Sequence, residues 1–204
     1  MGMPTNRLAL ATSLAALSLF AAGCKHIQPL DTKPLDAAGL DYNSIKQLEA
    51  EKITAPEVLE IAKARQGGLT DSGCVQVLQI YHGRGKAFDE GDEITGLLHA
   101  GFKQDSVLEL AKIGQLEVDA GELEAMRLTG LSDEIVLIVA RRHADGKPVL
   151  SGVSLASIKN TGVRESTILE LARRGVPDSE ASAIIAMRRK RASDADILRH
   201  FSGS

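Results

Sequence analysis

"ELEAMRLTGLSDEIVLIVAR", Glu122 to Arg141, decides the fold. Leu123 and Met126 stand seven and four positions before Gly130, which is the i, i+3 spacing of one helix face. Gly130 suits the left-handed position that ends a helix, and Leu131 can fold back onto the turn just completed. Ser132, Asp133 and Glu134 then suit the opening of a second helix, and Arg141 and Arg142 suit its last turn, in keeping with the helix dipole. The stretch reads as two short helices joined by a glycine turn.

The pattern recurs. "EITGLLHAGFKQDSVLELAK" (Glu93–Lys112) and "SLASIKNTGVRESTILELAR" (Ser154–Arg173) repeat it around Gly101 and Gly162. The glycines at 101, 130 and 162 are 29 and 32 residues apart, a spacing of helical-hairpin repeats. Ala111, Ala140 and Ala172 recur on the second helices, where small side chains favour close packing. "SIKQLEAEKITAPEVLEIAK" (Ser44–Lys63) reads as an earlier copy with Lys52 in place of the glycine. That leaves "DSGCVQVLQIYHG" (Asp71–Gly83) as an extra helix in the longer gap. Residues Val176–Phe201 read as a degenerate closing copy, and Thr54 with Glu57 and Ser193 with Asp196 read as capping boxes. A single hairpin buries too little apolar surface to stand alone, so neighbours must share a core.

Composition supports helices. Aromatic residues make up 3% of the 204-residue chain and Trp is absent, so Leu, Ile, Val and Ala must build the core. Strand-type alternation is nearly missing. The expected fold is an all-α array of short helical hairpins, about 30 residues per repeat, behind an N-terminal signal helix. The net charge of −3 gives no overall attraction to nucleic acid or anionic lipid.

The N-terminus carries an address. Arg7 precedes an apolar, small-residue run from Leu8 to Ala22, too short to span a bilayer comfortably but suited to an export signal. "AAGC", Ala21 to Cys24, resembles the lipobox of bacterial lipoproteins, with Ala21 where that family prefers Leu. The resemblance covers only this N-terminal segment. It implies cleavage before Cys24, a diacylglyceryl group on its thiol, and acylation of the new amine. Two or more acyl chains hold a protein durably in a membrane. Lys25 stands where that family's inner-membrane retention signal is usually Asp, which favours the outer membrane in a two-membrane host. The expected organisation is a lipoprotein signal over 1–23, a Pro- and Gly-containing tether over 24–41, and a helical body over 42–204.

Candidate sites are few. "MRRKR" places Arg188, Arg189, Lys190 and Arg191 together, a contact for an anionic surface or simply a solvated helix end. "LASIKNTGVRESTILELARRG" (Leu155–Gly175) resembles a DNA-binding helix-turn-helix. Acids such as Asp133, Glu134 and Glu165 would oppose phosphate there, so nucleic acid is not expected as a partner. Cys74 sits in an apolar run and reads as a buried thiol. The histidines lack metal-ligand spacing, and "FDEGDEI" (Phe88–Ile94) lacks the ligand periodicity of a calcium loop. No phosphate-loop, G-x-S-x-G or H-E-x-x-H motif occurs. The expectation is therefore a lipid-anchored envelope protein that binds or scaffolds a protein or envelope polymer. No enzyme activity, cofactor or metal is expected; the alternative is the helix-turn-helix reading.

Overall fold

The computed structural model describes residues 30–202. The chain is all-α among these residues, and its helices alternate between two layers. One layer holds α1 (Lys33–Ala37), α3 (Ala55–Gln66), α5 (Gly91–His99), α7 (Leu116–Leu128), α9 (Gly152–Asn160) and α11 (Ala181–Arg189). The other holds α2 (Tyr42–Ala50), α4 (Asp71–Gly83), α6 (Gln104–Ile113), α8 (Asp133–Ala144), α10 (Glu165–Arg174) and α12 (Asp194–His200). Each helix packs on the next member of its own layer, α3 on α5 and α4 on α6, so the hairpins stack in sequence order. Neighbouring hairpins thus share one apolar core, as repeat architecture requires.

Left-handed residues close one edge of the stack at positions 39, 68, 101, 130, 162 and 191, at intervals of 29, 33, 29, 32 and 29. Gly130 shows why the sequence turns there. Its φ is +82°, its N–H donates to the Arg127 carbonyl, and the Leu131 N–H donates to Met126 at 3.3 Å. This satisfies carbonyls at the end of α7 that would otherwise lack partners. Leu131 is then fully buried against the finished helix. Both expected capping boxes are present, at Thr54 with Glu57 and at Ser193 with Asp196. Ala111, Ala140 and Ala172 are buried where the layers meet.

Two features differ from the sequence reading. The stack begins inside the segment expected to be tether. Pro34 stands at the start of α1, where a missing N–H costs nothing, and Gly39 makes a hairpin turn. Leu35 and Leu40 are buried, and α1 packs on α3. The helix at 71–83 is also no insertion. It is the partner of α3, joined through Gly68, with Leu69, Cys74, Val77 and Leu78 fully buried. Lys52 does adopt a left-handed φ of 61°, but it connects α2 to α3 at the opposite edge of the stack. Like the turn residues of the first edge, Lys52 is left-handed and followed by an apolar residue, Ile53, which made the two registers look alike. Residues 1–23, Cys24 and His26 lie outside the described residues.

Candidate functional site

The turn edge carries a ladder of polar contacts. In alternate hairpins an arginine lies three residues before the turn and an aspartate three after it: Arg65 with Asp71, Arg127 with Asp133, Arg188 with Asp194. The pairs are close, 2.7 Å, 3.0 Å and 3.1 Å. Each arginine also donates to the turn carbonyl of the preceding hairpin: Arg65 to Gly39 at 3.3 Å, Arg127 to Gly101 at 3.2 Å, and Arg188 to Gly162. Lys159 reaches Gly130 in the same way and lies 3.7 Å from Glu165.

The acidic partners look backward too. Asp71 accepts the Asp41 N–H, Asp133 the Lys103 N–H and Glu165 the Ser132 N–H, each at 3.0 Å, while Gln104 accepts the Thr70 N–H at 2.9 Å. At the last step the Arg164 side chain, rather than its backbone, reaches Asp194. Asp194 is 4% exposed. Burial alone would lift its carboxyl, but hydrogen bonds from Arg164 and Thr167 and the Arg188 charge outweigh it and hold it below the ordinary value. The ladder links each hairpin to the next along the whole edge.

A groove of about 510 Å³ lies between α7 and α9. Ala125, Thr129, Ala156 and Asn160 line it, and Val153 stands on its wall 74% exposed. Small side chains keep the groove open, while an exposed Val offers apolar area to a partner.

A second, tighter space of about 180 Å³ lies between α7, α8 and the start of α9. Leu123, Met126 and Val139 give it an apolar interior, all nearly buried. Gln115 is 6% exposed, and its side-chain Oε1 has no hydrogen-bond partner. Asp119 sits where the helical dihedrals of α7 break, at φ −136°, and its carboxylate lies 2.9 Å from His143 Nδ1. Glu122 accepts the Gly152 N–H at 2.6 Å.

Other polar residues serve the fold. Glu57 is buried and accepts from the Thr54 and Phe88 backbones at 2.8 and 3.0 Å, with His82 Nε2 2.8 Å away. Burial would raise its carboxyl, but these bonds hold it below the ordinary value. Glu90 is different: burial pushes it up to about 7 despite a hydrogen bond with Tyr81. In the same stretch Asp92 and Glu93 occupy the first turn of α5, and Asp92 pairs with Lys63 at 2.9 Å. Cys74 is fully buried, which pushes its thiol up to about 12.

The basic run divides. Arg188 is taken by the ladder, whereas Arg189, Lys190 and Arg191 are exposed at the end of α11. The acids weighed against DNA binding have internal partners: Asp133 and Glu165 in the ladder, and Glu134 with Arg173. No group of side chains among the described residues is arranged to hold a metal ion. Among the same residues no helix is long and apolar enough to cross a membrane. Sequence reasoning missed the ladder and the 180 Å³ space. The signal for the ladder was the Arg and Asp flanking every second turn. The fold defines a stacked array of helical hairpins. The chain matches no family model, no curated protein and no solved structure.

Proposed function

We propose that the protein is a lipid-anchored module of the bacterial cell envelope that binds or scaffolds another protein or an envelope polymer without catalysing a reaction. The lipobox-like "AAGC" ending at Cys24 supports the anchor, and Lys25 supports the outer membrane. The groove between α7 and α9, with Val153 held out into solvent, carries the binding reading. Hairpins already linked by the ladder lower the entropy lost when a partner docks, because the face does not have to be assembled first.

The test is site-specific photocrosslinking in cells. A photoreactive residue at Val153 should give a discrete adduct that Ala125→Asp removes. The same probe at Lys112, exposed on α6 in the other layer, should give none. Equal labelling at both positions, or none at Val153, would reject the groove as the binding face.

A further inference from the structure

The two alternate double hairpins can be compared position by position. Gly91 and Gly152 each open a helix, and each donates its N–H to a glutamate on the preceding member of that layer, Glu60 at 3.1 Å and Glu122 at 2.6 Å. Three residues before each glycine stand Phe88 and Val149. Ten residues after the turns at Gly68 and Gly130 stand Leu78 and Ala140. Each double hairpin has a histidine–carboxylate pair, His82 with Glu57 and His143 with Asp119, but counted from the turns His143 stands where the first has Tyr81, one position before His82. In the first double hairpin, Phe88 is 1% exposed, its ring meets Tyr81 edge-on at 5.2 Å, and Leu78 is fully buried. In the second, the smaller Ala140 and Val149 line the space of about 180 Å³.

We propose that this space is a binding site for a small organic cation, an ammonium or guanidinium head on a compact apolar body. The chemistry of the walls makes the choice. Leu123, Met126 and Val139 supply the apolar interior. The carboxylates of Asp119 and Glu122 supply negative charge; His143 faces Asp119 at 2.9 Å and the Gly152 N–H faces Glu122, but among the described residues no Lys or Arg side chain lines the space. The amide of Gln115 is the independent sign of a missing partner, because a buried polar atom left unsatisfied costs stability. That Oε1 is closed to solvent as it stands, and a turn of the Gln115 amide into the space would let a ligand N–H satisfy it. A cavity of about 150 Å³ is enough for a single aromatic ring, so the body is of benzyl size.

The experiment titrates the full chain, in detergent, with benzylamine, benzyl alcohol and benzoate at neutral pH, followed by calorimetry and by the methyl resonances of Val139 and Ala140. Benzylamine should bind saturably, roughly tenfold or more tighter than benzyl alcohol, and benzoate should not bind. Val149→Phe and Ala140→Leu each place the residue of the first double hairpin in the second. Either one, folded by circular dichroism, should abolish binding. Asp119→Asn should weaken benzylamine roughly tenfold and leave benzyl alcohol unchanged. No binding of benzylamine at about 10 mM, where even millimolar affinity would show, overturns the proposal. So does equal affinity for the alcohol, or unaltered binding by a folded filled variant. Gln115→Leu is the further check if both filled variants fail to fold: retained benzylamine affinity in it would also overturn the proposal.

Discussion

Replacing Asp133 with alanine tests the ladder at its most regular step. The substitution removes the 3.0 Å contact with Arg127 Nε and the acceptor of the Lys103 N–H, also at 3.0 Å. A hydrogen bond from a backbone N–H to a carboxylate is worth about 1.5–3 kcal/mol. The ion pair is partly exposed, 30% on the Arg side and 14% on the Asp side, and adds at most about 1 kcal/mol. The expected loss is about 2–3 kcal/mol, or roughly 5–10 °C in Tm for a chain of this size. Asp133 also lies in the first turn of α8, where any carboxylate gains from the helix dipole. Asp105→Ala, at an exposed acid in the first turn of α6, isolates that contribution and should cost no more than about 0.5 kcal/mol. Urea unfolding of both variants, with Arg127→Met to close a double-mutant cycle, should give a coupling of about 1 kcal/mol between Arg127 and Asp133. If Asp133→Ala and Asp105→Ala destabilise equally, within about 0.5 kcal/mol, the ladder does not hold the hairpins together.

Two further outcomes follow from single residues. Gly130→Val puts a β-branched side chain at φ +82° and should lower stability by about 2 kcal/mol or more, well beyond Leu131→Ile at about 1 kcal/mol; equal melting temperatures would contradict the left-handed turn. Glu90, raised by burial to about 7, stays protonated in the fold at pH values where the unfolded chain has already ionised. The sign is that stability falls as pH rises from about 4.5 to about 7 and then levels off. Glu90→Gln should flatten that window in pH-dependent urea unfolding and leave the variant the more stable protein at pH 8. A slope unchanged by the substitution would show that another group titrates there.

The parts of this fold written in short-range patterns could be read directly. Gly130 announces its turn because a glycine followed by Leu131 after an i, i+3 apolar pair has few other meanings. Thr54 and Ser193 likewise announce caps through the acid three residues later. The misread parts share one physical cause. Pro34 and Gly39 are linker residues in composition, yet the first suits the start of a helix and the second its end. Lys52 mimicked a hairpin turn because both edges of the stack need a left-handed residue, and Ala64 hid the pairing of α3 with α4 by offering too little apolar side chain. The ladder joins residues about 30 positions apart, visible only when Arg65, Arg127 and Arg188 are compared across alternate hairpins. The space beside Gln115 arises from the sizes of Ala140 and Val149 set against Leu78 and Phe88, a difference that has meaning only once the layers are superposed.

The anchored-module account rests on what happens at Cys24, and mass spectrometry of the polypeptide from native membranes measures it directly. The account requires a chain beginning at Cys24 with a diacylglyceryl group on its sulfur and an acylated amine. A chain that starts at Met1 with an unmodified Cys24 would contradict it.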